Sequence, residues 1–234
     1  MPILVPLATA GAASSFMAWA VRGRSAQIFG RSHWHGPRHI PALALTFDDG
    51  PSESTPQILD ILAEYRIPAT FFQCGANVDR LPEIARSVFS AGHEIGNHSY
   101  THPYLFLRSP AAIEIELRRA QEAIIRHTGA TPDHFRPPFG ARWFGLRSAQ
   151  DKLRLTGVMW SAIGYDWSRR AEEVVARMAA AASNGAILCL HDGRELGERP
   201  DVRVTVESVR RLVPLLLERG YKFETIGRLL CPKT

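Results

Sequence analysis

Short apolar runs that end abruptly in acidic and histidine residues, with helix-period segments between them, constrain this chain more than any other feature. Ala42-Leu43-Ala44-Leu45-Thr46-Phe47 runs into Asp48-Asp49-Gly50-Pro51, and Ile187-Leu188-Cys189-Leu190 runs into His191-Asp192-Gly193. Runs of this length bounded by turn residues read as buried strands. Further strands are expected over residues 69–74, 93–97, 155–163 and 222–226, with one more leading into Arg136-Pro137-Pro138. Helices are expected over 58–62, capped by Ser54 or Thr55, and over 81–91, 113–128, 172–183 and 202–219. Gly92, Gly129 and Gly220 supply helix stops. Strands alternating with helices predict an α/β fold, parallel strands inside and helices outside, with functional groups at the carboxyl ends of strands.

The chain has 234 residues, 45% of them hydrophobic, enough for one sizeable core in a single domain with a short extension. Its net charge of +5 is compatible with anionic partners such as cell-wall polymers or lipid headgroups. The basic residues are dispersed and nearly all arginine, which argues against nucleic acid. Three cysteines do not make a disulfide framework; Cys74 and Cys189 lie in apolar runs and read as small core residues.

Residues 2–21 carry no charged side chain, about the length that crosses a bilayer core, and Arg22, Arg24, Arg31 and Arg38 follow. Residues 1–21 are therefore expected to be a membrane anchor or an uncleaved signal, with a buried or interfacial apolar arm as the plainer alternative. Residues 22–40, rich in Arg, Gly and His, are expected to be a linker to a domain over 41–234. His33, His35 and His39 have no carboxylate or cysteine beside them and read as solvated.

Three strand ends present acid, base and ligand types. Adjacent carboxylates Asp48 and Asp49 can serve one as base and one as metal ligand, since a cation between them relieves their repulsion; alone, they also suit an Asx-turn. His98 and His102, four residues apart, share one face of a helical turn and with a carboxylate leave an open position for water on a metal. His191 could protonate a leaving amine, and equally could be a turn histidine. Arg136 could orient a carboxylate, and Asp166 could keep a histidine protonated.

The ordered set Thr46-Phe47-Asp48-Asp49-Gly50-Pro51, His98-Ser99-X-X-His102, Arg136-Pro137-Pro138-Phe139-Gly140, Asp166-Trp167 and Leu190-His191-Asp192 resembles the polysaccharide deacetylase family with the NodB homology domain, carbohydrate esterase family 4, over roughly residues 41–230. The resemblance implies a distorted (β/α) barrel of seven strands. It implies Asp48 as the base that deprotonates the attacking water, and Asp49, His98 and His102 as metal ligands. Arg136 would position the base and the Phe139 N–H would face the oxyanion. His191 would be the acid with Asp166 behind it, and Trp167 and Leu190 would wall the acetyl pocket. Two positions depart from the family pattern: Cys189 stands where Leu is common, and Ile163-Gly164-Tyr165 lacks a polar residue many members carry.

The expected activity is hydrolysis of an N-acetyl group on an N-acetylhexosamine-containing glycan or lipid-linked sugar. O-acetyl esterase activity and a non-catalytic glycan-binding protein with a relict site are the alternatives. The expected cofactor is a divalent metal, zinc first, with cobalt, manganese or nickel as substitutes. No obligate protein partner is implied. The expected location is membrane-associated, in a bacterial cell envelope. A basic flank argues for a cytoplasmic domain and a polymer substrate for the outside, so the side stays open.

Overall fold

The computed structural model describes residues 4–231, with side chains from residue 13 onward; residues 1–3 of the expected anchor lie outside the described residues. The chain runs through α1 (Leu4–Arg22), β1 (Ser32–His33), β2 (Ala42–Asp48), α2 (Thr55–Glu64), β3 (Thr70–Gln73), α3 (Gly75–Arg80), α4 (Pro82–Ser90), β4 (Glu94–Asn97) and α5 (Pro110–Thr128). It continues through β5 (His134–Phe135), α6 (Leu146–Leu153), β6 (Thr156–Val158), β7 (Ala162–Ile163), α7 (Ala171–Ala181), β8 (Ile187–His191), α8 (Arg203–Glu218), β9 (Lys222–Phe223) and α9 (Ile226–Leu230).

All strand pairings are parallel, in the order β1-β6-β5-β4-β3-β2-β8-β7, with β9 added to the start of β2. The sheet curls into the expected distorted barrel. Among the described residues it has nine strands rather than seven, because two-residue strands flank the central ones and residues 155–163 divide into β6 and β7 around Met159-Trp160-Ser161. Strand alternation separates two cores. Leu43, Leu45, Phe47, Leu188 and Leu190 pack outward under the helices, with Ile58, Leu62 and Leu212. Ala42, Ala44, Phe72, Val158 and Ile187 form an inner core with Ile226 and Leu229.

Residues 22–40 are not a free linker. Ala26 and Phe29 are buried, β1 pairs with β6, and His35 bridges Ala186 at the start of β8. The segment thus ties together the two ends of the sheet. α5 begins three residues before the expected start, because Ser109 caps the Ala112 N–H and Pro110 occupies the first turn. It ends at Gly129, left-handed at φ 75°.

Candidate active site

The ends of β2, β4, β5, β6, β7 and β8 converge on one cavity of about 700 Å³. In the β2–β8 register Asp48 lies opposite His191, and the Asp192 N–H donates to the Asp48 carbonyl at 3.1 Å. Asp48, Cys189 and His191 bring their polar atoms within 4.8 Å of one another. Arg136, fully buried after β5, donates Nη1 to Asp48 Oδ1 at 2.6 Å and to Thr46 Oγ1 at 2.8 Å. Its other nitrogens donate to the carbonyls of Val158 and Met159. A guanidinium held on every side by acceptors fixes the carboxylate it pairs with.

His191 Nδ1 lies 2.8 Å from Asp166 Oδ1, and its N–H donates to Oδ2, which also accepts from Thr205 Oγ1. Burial alone would push the His191 imidazole down; the Asp166 carboxylate overrides this and raises it to about 9. Burial pushes Asp166 up, and the charge and hydrogen bond of His191 with the Thr205 hydroxyl hold it below the ordinary range.

The second half of the site is a triad. His98 Nε2 is 3.3 Å and His102 Nε2 3.1 Å from Asp49 Oδ1. The expected helical turn is absent: Ser99 and His102 are left-handed at φ 64° and 55°, and this loop, not a helix face, brings the rings together. Asp49 is left-handed at φ 71°, and Asn77 Nδ2 donates to both its carbonyl and that of Glu195. Left-handed non-glycine residues cost of order 1–3 kcal/mol each and collect at functional sites. Burial pushes the Asp49 carboxyl up, and hydrogen bonds from His102 and His98 more than reverse it, holding it well below the usual range.

The triad fits a divalent metal. His98 Nδ1 lies 2.7 Å from the Arg136 carbonyl, which can only accept, so Nδ1 donates there and Nε2 is the nitrogen that would face a cation beside Asp49. Two imidazole nitrogens and one carboxylate, all buried, are a metal donor set.

Of the pocket residues, Phe139, left-handed at φ 56°, and Trp167, its ring 4.8 Å from His191, line the cavity. Leu190 does not. It is one residue from His191 on a strand and so faces outward, fully buried under the helices. Cys189, on the inner face, instead brings Sγ to 3.4 Å from Asp48 Oδ2. Sequence reasoning missed Asn77, Trp160, Tyr165, Arg194 and Arg22 at this site. It gave no role to Asp192, although the residue stood inside the quoted motif. Asp192 is buried, accepts from Thr55 Oγ1 at 2.6 Å, and sits so close beneath Gly50 that a Cβ there would overlap its carboxylate.

A carboxylate paired with Arg136 and a histidine supported by Asp166 flank a triad that could hold a metal, a set of groups suited to hydrolysis. Residues 35–158 match the family model for polysaccharide deacetylase. The chain is 37% identical over 194 residues to a chitooligosaccharide deacetylase of Bradyrhizobium sp. (strain ANU 289), covering 79% of this chain and 89% of that one. Its fold is similar to that of the Bc1960 peptidoglycan N-acetylglucosamine deacetylase, with a TM-score of 0.80 and 28% identity over 85% of this chain and 92% of the other. It is also similar to BA3943 from Bacillus anthracis, described as a CE4 family pseudoenzyme, with a TM-score of 0.78 and 27% identity over 85% of this chain and 68% of the other. The chain belongs to the polysaccharide deacetylase family.

Proposed function

We propose that the chain is a metal-dependent carbohydrate N-deacetylase, hydrolysing the acetamide of an N-acetylhexosamine unit and releasing acetate. The observation that carries this reading is the β2–β8 register, which sets Asp48 opposite His191 beside the triad. Asp49, His98 and His102 would hold the metal, which when bound polarises a carbonyl and lowers the pKa of water. Zinc suits two imidazoles, one carboxylate and an open position, with cobalt, manganese or nickel as substitutes.

The chain's own groups handle the protons. Asp48 takes the proton of the attacking water, and Arg136 keeps that carboxylate aimed. The Phe139 N–H donates to the oxyanion, a kind of contact worth ~2.7–4 kcal/mol in other hydrolases. His191, charged by Asp166, gives its proton to the departing amine. Trp160 and Trp167 offer apolar faces to the sugar and its acetyl methyl. The substrates named for the relatives, chitooligosaccharide and peptidoglycan N-acetylglucosamine, support an amide over an ester.

The similarity to a pseudoenzyme makes site completeness, not fold, the discriminator, and the residues proposed here as base, acid and three ligands stand together in support of an active site. The reading extends to membrane association in a bacterial cell envelope through α1, whose Phe16, Met17 and Trp19 are exposed. The exposed aromatic residues of α1 suit an interfacial attachment, and no helix among the described residues is long and apolar enough to cross a membrane. Acetate release from N-acetylated chitooligosaccharide tests the chemistry: release should depend on added divalent metal and fall steeply in Asp48→Asn. Equal rates in wild type and variant would sink the assignment.

A further inference from the structure

We infer that the groove between α1 and the segment around Tyr104 binds the hydrocarbon tail of an amphiphilic N-acetylated sugar, so that the site's substrate is a glycolipid. The inference takes the headgroup chemistry from the deacetylase reading and adds the tail. The groove has a volume of about 650 Å³ and is lined by Met17, Ala18, Val21, Tyr104, Phe106 and Ala141, ending at Arg22. Its polar groups are few, Ser14, Arg22 and the Tyr104 hydroxyl, so a sugar ring would find little to bond to, whereas a hydrocarbon chain would gain burial.

The groove adjoins the catalytic cavity. Arg22 lines both, and the Tyr104 ring stacks at 3.8 Å on Phe139, which lines the cavity. A ligand with its acetamide at the triad and its tail in the groove passes Arg22. That exposed guanidinium, donating to the Phe139 carbonyl at 3.4 Å, stands where an anionic link such as a phosphodiester would join sugar to tail.

The α1 wall is fixed to the domain. Ala20 and Val21 are buried, the Arg142 N–H donates to the Val21 carbonyl at 3.0 Å, and the buried Arg142 side chain donates to the carbonyls of Gly23 and Ala26 just past the helix. Phe16 and Trp19, 54% and 44% exposed on the same helix, offer the aromatic surface expected where a tail is drawn from a lipid layer.

Calorimetric binding of dodecyl N-acetylglucosaminide, kept below its micelle concentration, against methyl N-acetylglucosaminide tests this on the full chain, with acetate release followed from both. The dodecyl compound should bind at least about tenfold more tightly, the gain from burying roughly two methylenes. Ala18→Trp, which fills the groove, and Met17→Glu, which places a carboxylate in it, should each cut that ratio below about threefold. Two variants at exposed helix positions guard against one failing to fold. An absent dodecyl advantage in wild type, or one that survives both variants, overturns the inference. A concentration-dependent dimer abolished by Met17→Glu would assign the groove to a second copy and overturn it equally. If the dodecyl advantage is present and groove-dependent while neither compound releases acetate, the tail site stands and the deacetylase reading falls.

Discussion

Asp48 and His191 meet because two parallel strands pair in one register, whereas His98 and His102 meet because a loop adopts left-handed backbone at two non-glycine residues. The first pair is held by its own hydrogen bonds, Arg136 on one side and Asp166 on the other. The second pair leans on Asp49 and, through His98 Nδ1, on the Arg136 carbonyl, while His102 Nδ1 is buried without a hydrogen-bond partner among the described residues. The proton-handling half is thus preorganised by the sheet, and the ligand half depends on a cation to complete it.

Chelation breaks this comparison most sharply. Removing divalent metal should reduce acetate release to the blank, and Asp49→Ala should do the same while emptying the protein of metal by elemental analysis. Full activity in either would mean that the triad is not the electrophilic half. Asp48→Asn should separate the halves: acetate release down about 10²–10⁴-fold, the range for lost acid–base catalysis, with metal content near wild type. A variant that loses metal as well would show the halves to be one unit.

The pH profile probes the acid alone. With Asp166 present the His191 proton is held up to about 9, so activity that needs it declines as pH rises through that region. Asp166→Asn should move the alkaline limb downward by roughly 1–3 units, the usual effect of one close opposite charge. A cation in the triad lowers the limb in both proteins, so the difference between them is the readout. The same pair contributes stability that is fully present below the histidine's ordinary 6.5 and lost as pH rises through about 9. An unmoved limb would remove His191 from the acid role.

Legibility in the sequence followed the same division. Apolar runs marked β2 and β8, and the polar residues that end them meet in one cavity, because period-two alternation places strand-end side chains. The same rule puts Leu190 outside the pocket, one residue out of phase with His191. The ligand loop was legible only as residue types. Positive φ at Ser99 and His102 has no signal in residues that usually avoid it, so a helical turn was the natural reading of the spacing. Residues 22–40 looked like a linker because two-residue strands and single bridges carry too little periodicity to show. Asn77 and Arg194 join the site from α3 and the loop after β8, and only tertiary packing brings them there.

Asp192 sits at the seam between the halves and gives the smallest test. Burial raises its carboxyl, the Thr55 hydroxyl bond opposes this, and the charges of Asp49 and Asp48 leave it at about 7. A folded-state value above the ordinary 3.8 means that the folded protein binds this proton more tightly than the unfolded chain. Stability therefore falls as pH rises from about 4 to about 7, with a slope approaching about 1.4 kcal/mol per pH unit. Asp192→Asn keeps the shape and an acceptor for Thr55 but removes the titration. In chelated protein, urea unfolding at pH 5 and pH 8 should show wild type losing more stability than the variant across that interval. Chelation matters because a cation on Asp49 would offset the negative charge that helps raise Asp192. Identical pH dependence in the two proteins would mean that the seam carries no buried proton, and that the ligand half presses on the proton-handling half less than their contact at Gly50 implies.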